Sequence, residues 1–192
     1  MEIVLFPHPT LRYKSKPIAK VNRALKAIVD EMFELMYEAR GIGLAANQVD
    51  LPLQLFIINI SGEKGAGEEL VFVNPVISQP KGTGSADEGC LSMPGIEAAV
   101  SRPASVHISA YDLNGNEIDF NASGLLARAI QHEFDHLNGV LFIDRISETE
   151  KKQVDFDLEE FQIEFEAKRQ SGTIPPDDQI LNRLKDLENE FC

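Results

Sequence analysis

The sequence predicts an α+β fold. Three observations carry that prediction. Apolar residues spaced three and four apart mark helices on both sides of a strand-rich middle. That middle alternates apolar and polar residues around Asn114-Gly115, a two-residue turn of the kind that closes a β-hairpin. Two more helical segments follow toward the C-terminus. With 192 residues, 43% of them hydrophobic, the chain can bury one sizeable core, which points to one domain and an appendage.

Residues 1–20 hold prolines, polar residues and a few apolar anchors, and read as an extended arm. His8, between Pro7 and Pro9, is a turn residue rather than a ligand. Segment 22–39 reads as an amphipathic helix with Leu25, Ile28, Val29, Met32 and Met36 on its core face. Gly41-Ile42-Gly43-Leu44-Ala45-Ala46-Asn47-Gln48 follows. Its glycine spacing is that of a dinucleotide fingerprint, but such a motif needs a strand before it and a helix after it. Here a helix precedes, and Pro52 with the apolar run 53–60 follows, so the nucleotide reading fails. The glycines instead allow close approach of the backbone to another chain or ligand.

A Gly/Glu loop spans 61–69, a strand is expected at 70–77 and a turn at 82–84. Residues 98–122 read as strands. Val106, Ile108 and Ala110 alternate with His107, Ser109 and Tyr111, so His107 points away from the core. Beyond residue 146, Ser147-Glu148-Thr149-Glu150 is a capping box. The helix it opens has the stripe Val154, Leu158, Phe161 and Phe165; a loop with Pro175-Pro176 leads to a last helix that aligns Ile180, Leu184, Leu187 and Phe191. These two helices have three possible partners: each other, the domain, or a second subunit.

The chemistry concentrates in Gln131-His132-Glu133-Phe134-Asp135-His136-Leu137-Asn138-Gly139. Ser123 is an N-cap, Leu125, Ala129, His132 and His136 keep helical spacing, and Gly139 sits where a left-handed C-terminal cap belongs. On such a helix His132 and His136 lie one turn apart and reach one metal ion, with Glu133 beside them as general base toward a water on that metal. A third ligand is needed. One metalloprotease pattern places a histidine three residues after the glycine, but position 142 is Phe142. The third ligand must therefore come from elsewhere in the chain. His107 is a weak rival. Cys90, in Asp87-Glu88-Gly89-Cys90-Leu91-Ser92-Met93-Pro94, is the leading candidate, since glycine beside it and proline nearby suggest an exposed, rigid thiol rather than a core residue.

Composition excludes several classes. No run of about 18 apolar residues is present, so no membrane span is predicted. The first residues lack the basic region of a secretory signal. Two cysteines, Cys90 and Cys192, make no disulfide framework, and a reducing, cytoplasmic compartment is expected. A formal net charge of −13 disfavours nonspecific binding to nucleic-acid phosphates, and no nucleic-acid-binding motif is present.

Segments 41–48, 88–92 and 131–136 resemble, in order and separation, the three signatures of the peptide deformylase family. The resemblance extends over residues 1–147 and leaves 148–192 as a C-terminal helical extension. It implies antiparallel β-sheets around a central metal-binding helix. It also implies hydrolysis of the N-formyl group from formyl-methionine at the start of new polypeptides, releasing formate. Cys90, His132 and His136 correspond to the ligands of one divalent metal ion, with a fourth position open to water. The family's working metal is usually Fe2+, often replaced by Zn2+ or Ni2+, and a thiolate with two imidazoles suits each. Glu133 corresponds to the general base. The Gln48 side-chain amide and the Leu91 backbone N–H correspond to the donors that meet the oxyanion, and Gly43 lies in the stretch that pairs with substrate backbone.

Helix geometry adds Leu125 and Ala129 as the apolar wall of a slot for methionine. Arg128, where the family commonly has an apolar residue, is expected to line the rim with its guanidinium in water and to favour acidic residues after the methionine. Glu97, where many members carry a basic residue, opposes that preference or pairs with Arg128. The implied partners are N-formyl-methionyl peptides or nascent chains, with a transient ribosome contact. In some members that contact uses a basic C-terminal helix, whereas residues 150–192 here carry 12 acidic and 6 basic side chains. Two rival readings are a zinc endopeptidase, which needs a further downstream ligand, and a closed structural metal site, which needs a fourth protein ligand.

Overall fold

Local sequence rules set the helices. Asn22 accepts the Leu25 N–H at 2.9 Å and opens α1 (Arg23–Glu38), whose Leu25, Val29, Met32, Phe33 and Met36 are buried. Ser123 stands at the N-cap of α2 (Gly124–Leu137) without a side-chain hydrogen bond, and Gly139 turns left-handed just past its end, at φ 71°. Ser147 and Glu150 close the capping box of α3 (Glu148–Gln170), and α4 (Asp177–Phe191) follows a short loop.

The computed structural model describes residues 1–192 and has the α+β architecture. Strands β1 (Gly43–Ala45), β2 (Leu55–Ile58), β3 (Leu70–Lys81), β6 (Ser105–Tyr111) and β7 (Glu117–Ser123) form one antiparallel sheet in the order β1-β2-β3-β6-β7. A separate hairpin pairs β4 (Gly84–Cys90) with β5 (Met93–Arg102). The alternation expected around Asn114-Gly115 holds, with Val106, Ile108 and Ala110 buried beneath α2. β2 is covered on both faces. Phe56 and Ile58 meet α2, while Leu55 and Ile57 meet α1, which is why that stretch is a continuous apolar run rather than an alternating one.

Three boundaries differ from the sequence reading. The apolar run at 53–60 narrows to β2, because Leu53 and Ile60 lie outside the paired register. β3 extends to Lys81, with a bulge at Asn74-Pro75 that lets proline sit in a strand. β4 is a full strand although Gly84, Ser85, Asp87 and Gly89 are poor strand formers; pairing with β5 overrides their preference.

The N-terminal arm connects the loops that matter most. Val4 N–H donates to Gln48 C=O at 2.8 Å, Phe6 N–H to Ser92 C=O at 2.9 Å and Ser15 N–H to Leu137 C=O at 2.9 Å. His8 is a turn residue, as read, but it is buried, with its Nδ1 accepting the Thr10 N–H. The C-terminal helices pack on the domain. α3 lays Val154, Leu158 and Phe161 against the β4–β5 layer, and α4 inserts Phe191 into the core beneath α1.

A Cβ at Gly139 would stand 2.5 Å from the Arg12 carbonyl oxygen, in a left-handed conformation as well. Gly139→Ala should therefore cost about 1–3 kcal/mol, read as a lower urea midpoint. A midpoint equal to that of the parent chain would show that the arm yields without penalty.

Candidate metal centre

The centre arises where α2 crosses the end of the β4–β5 hairpin. On β4, Glu88 and Cys90 are two residues apart and so share the inward face, both buried. On α2, His132 and His136 lie one turn apart with ring centroids separated by 5.0 Å. Cys90 Sγ lies 3.3 Å from His136 Nε2, and the ligand atoms of Cys90, His132 and His136 all fall within 4.8 Å of one another. A tetrahedral ion with bonds of about 2.0–2.3 Å spaces its ligands by roughly 3.5 Å, so this donor set fits one divalent ion after small side-chain movements. Only these three groups gather, which leaves no fourth protein ligand to close the site. Phe142, at the position of the extended pattern's third histidine, stacks on His132 instead, with centroids 6.3 Å apart.

Cys90 is not the exposed thiol that its glycine and proline neighbours suggested. It is 8% exposed and packs among apolar residues of the hairpin, open only toward the cavity. A neighbouring glycine reports backbone freedom, not the burial of the next side chain.

One residue that the sequence reading left without a role orients the centre. The Glu88 carboxylate accepts from Arg102 Nε at 2.6 Å, Arg102 NH2 at 2.8 Å, Arg128 NH1 at 2.6 Å and His132 Nδ1 at 3.1 Å. Burial alone would raise the Glu88 pKa, but His132 and Arg102 outweigh it and hold the carboxyl at about 2. An ionised carboxylate only accepts, so His132 Nδ1 donates to it. Burial lowers the His132 pKa, but Cys90, Glu88 and Glu133 outweigh it and raise it to about 10, so Nε2 must give up a proton to serve as a ligand. Arg102, itself buried, also donates to Asp135 at 2.7 Å, and Arg145 covers the outer side of Asp135. Two signals pointed here: Glu88 sits two residues before Cys90 in a strand, and Asp135 lies one turn after His132.

Above the centre lies a cavity of about 660 Å³, lined by Gly43, Gln48, Cys90, Leu91, His132 and Glu133 among others. Leu125 and Ala129 also line it, Leu125 half in solvent and Ala129 buried, while His136 lies beneath the wall. Glu133 is buried, and its Oε2 has no hydrogen-bond partner. Burial raises its pKa and the positive charges of His132 and Arg102 pull it back, leaving it at about 7. Gly43 carries no side chain for a direct reason: a Cβ there would stand 2.5 Å from Glu133 Oε1. Gln48 Oε1 accepts the Ala45 N–H at 2.8 Å, so its NH2 end faces the site, 3.4 Å from Cys90 Sγ and 3.3 Å from Ser92 Oγ. The Leu91 N–H, in the turn of the hairpin, has no partner among the loop hydrogen bonds.

Arg128 corrects an expectation. Its guanidinium is not in water; it donates to Glu88, to Val100 C=O at 2.9 Å and to Gly84 C=O at 2.9 Å. Its charge is thus spent inside the hairpin, and the reasoning that it selects acidic residues fails. Glu97 also lines the cavity but is exposed and forms no pair with Arg128.

An open cluster of one thiol and two imidazoles, flanked by a buried carboxyl and seated in a cavity, belongs to the metal-dependent hydrolases. The comparisons narrow that class. Residues 1–152 match the family model described as polypeptide deformylase, and the chain belongs to that family. A peptide deformylase of Rhodopirellula baltica is 49% identical over 174 residues, covering 91% of this chain and 87% of its own. A chloroplastic peptide deformylase of Solanum lycopersicum is 42% identical over 96% of this chain, which spans 65% of that longer protein. The crystal structure of a plant peptide deformylase superposes with a TM-score of 0.85 at 44% identity, covering 92% of this chain and 95% of that one.

Replacing Glu88 by Gln removes the charge that Arg102 and Arg128 face. Because the Glu88 pKa is depressed to about 2 in the folded chain, its contribution is fully present above about pH 4.5 and is lost as pH falls toward 2. Glu88→Gln should cost about 3–5 kcal/mol at pH 7, with the gap to the parent chain closing in acid. Urea unfolding at pH 7 and pH 3 measures both; a gap independent of pH would show that Glu88 is not the titrating group.

Proposed function

We propose that this chain hydrolyses the formamide bond of N-formyl-methionyl peptides and nascent chains through three of its own groups acting around one divalent ion. The observation that carries the proposal is Glu133, a buried carboxyl with an unpartnered oxygen in the cavity wall beside the cluster of Cys90, His132 and His136. Cys90 Sγ, His132 Nε2 and His136 Nε2 would hold the ion. When bound, it supplies a Lewis acid that polarises a carbonyl and makes water more acidic.

Burial raises the Glu133 pKa above the usual carboxylate range, the direction that a group taking and returning a proton needs. It accepts the proton of the attacking water as a new C–O bond forms at the formyl carbon, then delivers it to the amine as the C–N bond breaks and formate leaves. Negative charge collects on the formyl oxygen during attack. The Gln48 NH2 and the Leu91 N–H are the donors that meet it, both already oriented by the arm and the hairpin turn. Leu125 and Ala129 form an apolar wall for the methionine side chain, and Gly43 brings the β1 backbone close enough to pair with the substrate.

We take Fe2+ as the working ion, with Zn2+ or Ni2+ accepted by the same donors. A reducing setting, the cytoplasm, follows from the need to keep Cys90 a free thiol for that ion, and Cys90 forms no disulfide. No helix is long and apolar enough to cross a membrane. Nascent-chain substrates bring the chain transiently to the ribosome, a contact for which the tail offers no basic helix.

The test compares formyl-Met-Ala with acetyl-Met-Ala, and metal content in protein purified without oxygen. Formate release from the first alone, tracking bound iron, is expected; equal cleavage of both would replace deformylation with a broader amidase activity. Glu133→Gln should keep the metal and lose turnover, because the amide accepts no proton. Gln48→Leu should lower kcat on the order of 10²-fold with metal and fold retained. Near-parental kcat in either variant would remove that residue from the mechanism.

A further inference from the structure

α3 has two apolar faces. Val154 and Phe165 are buried against the domain with Leu158 and Phe161 between them. The opposite face carries Phe156 and Ile163, seven residues apart and so aligned two turns along the helix. They are 68% and 69% exposed, the most exposed large hydrophobic side chains in the molecule. Ala167 continues their line.

The flanks of that line are acidic. At about 100° per residue, Asp155, Glu159 and Glu166 fall along one side, and Asp157, Glu160 and Glu164 along the other. The ion pairs of α3, Lys151–Glu148 and Arg169–Asp177, lie at its two ends and involve none of these carboxylates. Asp155 with Glu159, and Glu160 with Glu164, are like charges four apart, which weaken an isolated helix. Lys152 reaches this face four residues before Phe156, Lys151 acts on Asp155, and Lys168 lies four residues after Glu164. Six acidic side chains outnumber these bases, so the flanks stay net acidic, and the apolar line has no partner within the chain.

We propose that this face of α3 binds a cationic amphipathic helix of another protein, its apolar edge on Phe156 and Ile163 and its Lys or Arg side chains against the two acidic flanks. The arrangement puts apolar contacts in the centre and charge pairs outside, with one apolar anchor every seven residues rather than the two of a full coiled coil. Charge excludes the other occupants. Nucleic-acid phosphates and anionic lipid headgroups carry the same sign as the flanks, and a second α3 would bring its own carboxylates against these. None of these residues lines the cavity above the ligand cluster, so the docking face is separate from the site.

The probe is a synthetic Lys/Leu peptide with leucines at helical spacing, titrated into the full chain beside a scrambled isomer of the same composition. The parent chain should bind the ordered isomer about tenfold more tightly, since burying Phe156 and Ile163 requires an apolar edge. Added salt should weaken both isomers. Phe156→Ser/Ile163→Ser should lose the preference while thermal midpoint and deformylation rate stay unchanged, and Phe156→Leu/Ile163→Leu should keep it. Glu159→Gln/Glu160→Gln/Glu166→Gln should weaken both isomers. The proposal fails if the parent chain binds the isomers equally or if the double-serine variant keeps the preference. It also fails if that variant abolishes binding to phosphatidylglycerol vesicles or dissolves a dimer seen in sedimentation.

Discussion

The geometry of the candidate metal centre depends on one buried carboxylate. Glu88 accepts from two arginines and from His132, and it is the one group that touches all three. Without its charge, Arg102 would be buried beside Asp135 alone, which Arg145 already shares. The ring of His132 would also lose the acceptor that determines which nitrogen faces the ligand cluster. The same interaction joins the hairpin to α2, so the two elements that carry the ligands are held together by ionic hydrogen bonds beneath the cavity. The apolar layers on either side, one under α1 and one under α2, set the distance between sheet and helix; Glu88 sets the orientation.

Much of this was legible from the sequence, for identifiable reasons. Helical period and capping reveal α1, α2 and α3 because those signals are local. One turn of α2 suffices to place His132 beside His136. Cys90 is the leading candidate because two imidazoles are too few ligands for a metal, and the fold brings its thiol to both of them. What stayed hidden is non-local. β4 consists mostly of residues that disfavour strands and exists because β5 pairs with it. The exposure of Arg128 could not be judged from helix position, because the carboxylate and carbonyls that absorb it lie on another element, 28 to 44 residues away. The docking of α4 beneath α1 is of the same kind, since an apolar stripe says that a face is buried but not against what.

The cavity wall shows how small residues serve polar ones. Gly43 leaves space that the Glu133 carboxyl fills, and the proton affinity of Glu133 comes from the burial that this close packing produces. Gln48 is similarly constrained: its oxygen is tied to the backbone three residues earlier, so its amide hydrogens have one direction left. Orientation in both cases is fixed before any substrate arrives, which is the condition for electrostatic stabilisation without reorganisation.

The arm that ties Gln48, Ser92 and Leu137 together has a consequence for assembly. Val4, Phe6 and Ser15 are made before all of their partners, Gln48, Ser92 and Leu137, which follow across more than a hundred further residues. Until α2 has been made, this arm has no complete set of acceptors. Long separations of this sort slow folding, because loop closure must precede the contacts that reward it. The loop that carries Gln48 and the turn that carries Leu91 are therefore tied down only after an arm made early has been met by segments made much later.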